Sequence, residues 1–193
     1  MSLIIAIKDK NIFHIGCDTR ILQGFRYTDS YLQHPKAYCV DHNKGIIIGV
    51  VGMLSIGGIA SRILKTHTIE KLTREYILDK FWPEFYRECL LSGAVTNDRM
   101  LDGEIMIFMK DKGFYIDESG AVNEIIDNCA IGSGSQIAKG VILSLEKYKK
   151  LTPEALIITA IETAASIRCD ISNEVYVGNT NSNKFYKSII KSE

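Results

Sequence analysis

The tightest constraint on the fold lies at the start of the chain. Residues 3–7, Leu-Ile-Ile-Ala-Ile, form an unbroken apolar run in which Ile4, Ile5 and Ile7 are β-branched, so a buried strand is expected almost from the first residue. No leader is expected before it. Lys8-Asp9-Lys10-Asn11 has turn composition, and residues 12–16 return as a second strand that runs into Cys17-Asp18-Thr19-Arg20. A hairpin of this kind brings Asp18 back towards Ser2. If Met1 is removed, as is usual before a small residue, a serine stands at the amino terminus on a rigid strand with a carboxylate nearby.

A chain of 193 residues with 46% hydrophobic content can bury a substantial core, and nothing in it resembles an interdomain linker, so one domain spanning residues 1–193 is expected. Lysine plus arginine and aspartate plus glutamate are 23 each, so no overall field favours nucleic acid or an anionic membrane. No apolar run approaches the roughly 20 residues of a membrane span, and a cytoplasmic protein is expected. The five cysteines are odd in number, widely spaced and mostly set among apolar residues, which suggests reduced core thiols. No CxxC occurs, and Cys39 with His42 lacks a partner pair at ligand spacing, so neither a metal nor a cofactor is expected.

Along the chain, residues 23–34 read as a loop or irregular hairpin before Pro35-Lys36, and Tyr38 and Val40 alternate weakly into the turn Asp41-His42-Asn43-Lys44-Gly45. Residues 46–51 then read as a buried strand. Met53, Ile56, Ala60, Ile63 and Leu64 recur at helical spacing, and a long helix over residues 68–91 is expected to kink or restart at Pro83. Trp82, Phe85 and Tyr86 are assigned to packing, because no basic stripe accompanies them as a nucleic-acid platform would need. Residues 92–101 are a loop, residues 104–109 and 113–116 a hairpin, and residues 129–131 a short strand. Gly132-Ser133-Gly134-Ser135 leads into a helix with Ile137, Val141, Ile142, Leu145 and Tyr148 on one face. Thr152, Pro153 and Glu154 start another, as cap, first-turn proline and dipole partner, with Leu156, Thr159, Ala160, Thr163, Ala164 and Ile167 as its buried face. Residues 174–177 and 185–190 close the chain as strands. The pattern alone gives mixed α and β with antiparallel hairpins.

The glycine-rich turn is neither a P-loop nor a dinucleotide fingerprint, because Ile137 stands where each would need glycine, and its glycines do not flank a serine as GxSxG requires. What remains is a strand-to-helix turn. The initial strand, Asp18-Thr19-Arg20, Lys36, Ile48-Gly49-Val50-Val51-Gly52, Ala130-Ile131-Gly132-Ser133-Gly134 and the alanine-rich segment running to Ser172, in that order and spacing, resemble the proteasome β-subunit and HslV peptidase family of N-terminal nucleophile (Ntn) hydrolases. The resemblance spans most of the chain. It implies an α+β fold, the four-layer αββα sandwich with the amino terminus in a cleft between two antiparallel sheets. It also implies cleavage of peptide amide bonds through an acyl-enzyme, in a self-compartmentalised homo-oligomeric ring that takes peptides or unfolded protein and can work with an ATPase unfoldase. The alternative within the same fold is a catalytically silent, ring-forming subunit.

A free serine hydroxyl is hardly ionised at neutral pH, so Ser2 would need a base, and the chain's own α-amine, with a reference pKa of about 7.7 to 8.0, can serve. The resemblance implies that Lys36 supplies a cation favouring the neutral amine and hydroxyl ionisation. It further implies that Asp18 holds Lys36, that the Gly49 N–H meets the oxyanion, and that Ser133 and Ser172 lie beside the nucleophile. The plain readings remain beside these: Asp18 and Lys36 as a surface pair, Gly49 as a close-packing residue, and Ser133 as a cap. Two departures from the family are visible. Serine replaces the usual threonine, losing the methyl that restricts its rotamer. The late Asp-x-x-Ser appears as Cys169-Asp170-Ile171-Ser172, with the aspartate displaced by one, which leaves the part of Asp170 open.

Overall fold

The computed structural model describes residues 2–23, 26–29, 35–148 and 151–188. Met1, residues 24–25 and 30–34 of the expected loop or irregular hairpin, and Ile189 and Ile190 of the expected last strand lie outside the described residues. Strands β1 (Leu3–Asp9) and β2 (Ile12–Asp18) form the expected hairpin, closed by a two-residue turn in which Lys10 takes a φ of 56°. β3 (Arg20–Gln23) and β4 (Arg26–Asp29) pair as a separate two-stranded ribbon, within the stretch expected as a loop or irregular hairpin. β5 (Ala37–Asp41) and β6 (Ile46–Gly52) lead to helix α1 (Leu54–Thr66).

The second helical segment differs from expectation. It begins with α2 (Arg74–Tyr76), capped by the Thr73 side chain, then passes through a π-helical turn, Ile77–Phe81, into α3 (Trp82–Leu91). The helix does not start at residue 68, but its α-helical course does restart next to Pro83, which sits in the first turn of α3. The Trp82 N–H reaches the Ile77 carbonyl, an i to i−5 bond, and this widened turn admits a proline that cannot donate to the carbonyl four residues back.

β7 (Gly103–Met109), β8 (Lys112–Ile116), β9 (Val122–Glu124) and β10 (Asn128–Gly132) precede α4 (Ser135–Tyr148) and α5 (Pro153–Ile167), and β11 (Val175–Asn179) and β12 (Phe185–Ser188) follow. β9 was not legible, being three residues with two exposed. The buried face of α5 is rotated from the expected one: Ile157 and Ile161 are buried, whereas Ile167 is exposed and the Thr159 and Thr163 hydroxyls donate to carbonyls four residues back.

The strands form two antiparallel five-stranded sheets, ordered β10-β1-β2-β11-β12 and β5-β6-β7-β8-β9. Their apolar runs are explained by burial on both faces. Leu3, Ile5 and Ile7 pack with α4 and α5, while Ile4 and Ala6 face the other sheet with Phe13, Ile15, Ile47, Val51, Met106 and Phe108. In β6, Ile46 and Ile48 turn to the cluster that includes α1 and α3. The result is the α+β sandwich, helices outside and two sheets inside, with the Phe13 and Phe108 rings 5.1 Å apart between the sheets.

Candidate active site at the start of the first strand

The Asp18 carboxylate ends β2 beside the first residues of β1 and is fully buried. Its Oδ1 accepts the Leu3 N–H at 2.8 Å and Lys36 Nζ at 2.7 Å; its Oδ2 accepts the Arg20 N–H at 2.9 Å and the Ser172 N–H at 3.3 Å. Lys36 also donates to the Arg20 carbonyl, and its side chain is 4% exposed. The surface-pair reading is therefore excluded. Two charges are desolvated here and compensated by each other and by backbone dipoles, the arrangement in which losing one partner is costly. Because Asp18 grips the amide of Leu3, the lysine charge is tied to the residue that follows Ser2.

Ser2 is 6% exposed, and its carbonyl oxygen lies 3.5 Å from Ser133 Oγ. The β10 to α4 turn can come this close because Gly132, paired with Leu3, has a φ of 91° and no side chain; a Cβ there would stand 2.1 Å from the Ser2 carbonyl oxygen. The Gly132 N–H is held by Glu104 Oε2 at 3.0 Å, and Glu104 Oε1 accepts the Tyr115 hydroxyl at 2.5 Å, so a carboxylate from one sheet fixes the turn that ends a strand of the other. Ser133 Oγ donates to Asp170 Oδ2 at 2.7 Å. Arg168 in turn grips Asp170 with two bonds, Nε to Oδ1 at 2.8 Å and a terminal nitrogen to Oδ2 at 3.0 Å. Burial pushes the Asp170 carboxyl up, but the bonds from Arg168 and Ser133 outweigh it and hold it below the usual carboxylate range.

The structure thus brings Ser2, Asp18, Lys36, Ser133 and the Ser172 amide together, whereas the Ser172 hydroxyl oxygen accepts the Glu174 N–H at 3.1 Å, within its own turn. Gly49 stands apart. The Val50 N–H donates to the Lys36 carbonyl at 3.0 Å, and successive N–H groups of a strand point to opposite edges, so the Gly49 N–H faces β7 opposite Met106. The missing side chain at Gly49 is explained by Ile4, whose Cγ2 would be 3.1 Å from a Cβ there. The amide aimed at Lys36 is Val50's, one residue on. Two cavities, about 340 Å³ beside Tyr115 and Cys129 and about 390 Å³ beside Leu72 and Met109, lie away from these residues.

No family model matches the chain, and no curated protein matches it in sequence. Among solved structures, BPH of Thiobacillus denitrificans is similar with a TM-score of 0.77 at 17% identity, over 92% of this chain and 96% of that one. Anbu (ancestral beta-subunit) from Yersinia bercovieri gives 0.72 at 14% identity, over 96% and 86%. Eukaryotic HslV from Trypanosoma brucei gives 0.65 at 16%, over 92% and 98%. This chain has the proteasome-type Ntn-hydrolase fold.

Within that Ntn fold, sequence reasoning missed Glu104, Tyr115 and Arg168 and left Asp170 undecided. Glu104 carried a usable signal, a carboxylate next to the apolar run of β7, yet nothing in the sequence names its partner on β10. Asp170 reaches Ser133 although it sits only two residues before Ser172, because Arg20 clasps the carbonyls of Cys169 and Ile171 at 2.8 and 3.3 Å and so shapes the loop around it. Among the described residues, no helix is long and apolar enough to cross a membrane, and no cluster of three His, Cys, Asp or Glu could hold a metal ion.

Proposed function

We propose that this chain is an Ntn amide-bond hydrolase, a peptidase acting as a single domain in a homo-oligomeric ring in the cytoplasm, on peptides or unfolded protein delivered with or without an ATPase unfoldase. The observation that carries the reading is the buried Lys36 ammonium, held by Asp18 directly beneath the residue after Ser2. A buried cation is expensive unless it has a task or full compensation. Here it sits where it would favour both a neutral α-amine and an ionised hydroxyl on one terminal serine. With Ser2 as the terminal residue, its amine takes the hydroxyl proton, directly or through a water, as Oγ attacks the scissile carbonyl. The amine then returns the proton to the leaving amine of the substrate, and water hydrolyses the resulting ester by the reverse proton path. Ser133 lies beside the attacking residue, and the amide of Ser172 fixes Asp18. The likeness to BPH, whose complex with epoxomicin is among the similar structures, supports trying epoxomicin as an active-site probe.

Hydrolysis of fluorogenic peptides and β-casein by protein whose first residue is verified as Ser2 by intact mass tests this reading. Ser2→Ala is expected to abolish turnover and Lys36→Ala to lower it at least about 100-fold. Light scattering is expected to give a particle several times the 21.6 kDa chain. Equal activity in all three proteins would refute the mechanism; an assembled, correctly processed and inactive wild type would favour the silent ring-forming subunit.

A further inference from the structure

The Ser133 hydroxyl has a single proton and two acceptors around it. Asp170 Oδ2 is 2.7 Å away and the Ser2 carbonyl oxygen 3.5 Å, so the proton belongs to Asp170. With its proton committed there, Ser133 Oγ presents only lone pairs towards Ser2. That polarity matters to a terminal amine, because an amine that must aim its own lone pair at a neighbouring hydroxyl needs acceptors for its N–H bonds. Were Asp170 protonated or turned away, the Ser133 proton would be released to the Ser2 carbonyl, and the same oxygen would no longer be held as an acceptor.

What holds Asp170 is Arg168. The carboxylate is 3% exposed, yet its arginine partner is 38% exposed and reaches in from the residue that follows α5, gripping both oxygens in the fork geometry that fixes a carboxylate plane. Among the described residues, the other charged groups around the Asp170 loop do not grip the carboxylate in this way. The Arg20 guanidinium bonds the Cys169 and Ile171 carbonyls, Asp18 accepts the Ser172 amide, Lys36 bonds Asp18, and Glu174 bonds Thr19 and Lys187. We propose that Arg168 is a positioning residue: by gripping Asp170 it turns the Ser133 proton away from Ser2 and keeps Ser133 as a hydrogen-bond acceptor for the Ser2 amine. The inference rests on the amide-hydrolase reading for its consequence, but its structural half can be measured without turnover.

The direction of the pH effect follows. Arg168 lowers the Asp170 carboxyl, so removing the arginine lets burial raise it, and the ionised form is lost at a higher pH than in the wild type. The experiment uses the full chain beginning at Ser2, with Arg168→Ala, Arg168→Lys and Asp170→Asn, the lysine variant guarding against misfolding of the alanine one. Two readouts are taken: the titration of the Asp170 side-chain carboxyl by carbon NMR, and peptide kcat and KM across pH. Arg168→Ala is expected to move the Asp170 midpoint up and to lower kcat about 10-fold with little change in KM. Its acid limb should shift in the same direction, and Arg168→Lys should recover part of both effects. Asp170→Asn should lower kcat similarly. An unmoved Asp170 midpoint in Arg168→Ala, or a lysine variant no better than alanine, overturns the proposal even if the wild type is fully active. A shifted midpoint in a wild-type background that hydrolyses nothing supports the arginine's hold on Asp170 while the hydrolase reading falls.

Discussion

Removing either partner of the Asp18–Lys36 pair strands the other, but the two stranded groups differ in what remains around them. Without Lys36, the Asp18 carboxylate still accepts N–H bonds from Leu3, Arg20 and Ser172; without Asp18, the ammonium keeps the Arg20 carbonyl and three amides lose their acceptor. Asp18→Ala is therefore expected to cost about 3–5 kcal/mol and Lys36→Ala clearly less, as read from urea unfolding midpoints. The reverse order would mean that the lysine's stem packing, not its charge, dominates. The cysteines offer a second residue-scale test. Burial pushes the Cys17 and Cys89 thiols up to about 12 and Cys129 up to about 11, and raises Cys39 as well, whereas Cys169 is exposed. Iodoacetamide at neutral pH is expected to label Cys169 first, as located by peptide mass mapping, and prior labelling of Cys17 would contradict the packing between the sheets.

At the scale of elements, the start of α5 and the turn beside the site carry different loads. The α5 cap, where Thr152 Oγ1 accepts the Ala155 N–H at 3.2 Å, is exposed and conventional, and Thr152→Ala should cost about 1 kcal/mol. The β10 to α4 turn is under a steric requirement instead. Gly132→Ala would place a Cβ on the Ser2 carbonyl and force an L side chain to a φ of 91°, with a strain on the order of 1–3 kcal/mol before any displacement of Ser2. Thermal unfolding should rank Gly132→Ala as the more damaging. Its effect on peptide turnover should exceed its effect on stability, because the atom it pushes belongs to the proposed nucleophile residue.

The whole molecule depends on two sheets meeting face to face. Phe13 and Phe108, both fully buried, are in contact from opposite sheets, and Phe108→Ala is expected to cost about 3–5 kcal/mol. Loss of peptide hydrolysis in that variant should follow unfolding with temperature; a stable but inactive variant would instead show that sheet separation itself sets the site, since Asp18 and Lys36 enter it from opposite sheets. Most strands of the two five-stranded sheets, the α1 helix and the Thr152 cap were legible because each is written in local periodicity and turn chemistry, which depend on neighbours in sequence. The amino-terminal strand and the 12–16 return could be anticipated from the apolar runs and the turn between them, whereas the Asp18–Lys36 pairing was implied only by the family resemblance. The sequence by itself did not decide that this pair is buried rather than on the surface, that the Val50 rather than the Gly49 N–H bonds the Lys36 carbonyl, or that Glu104 and Arg168 support the two turns around Ser2. Those are matters of register and of contacts between residues 14 to 131 positions apart or held by a displaced loop, and only the tertiary packing of two twisted sheets determines which edge of a strand, and which end of a carboxylate, meets which partner.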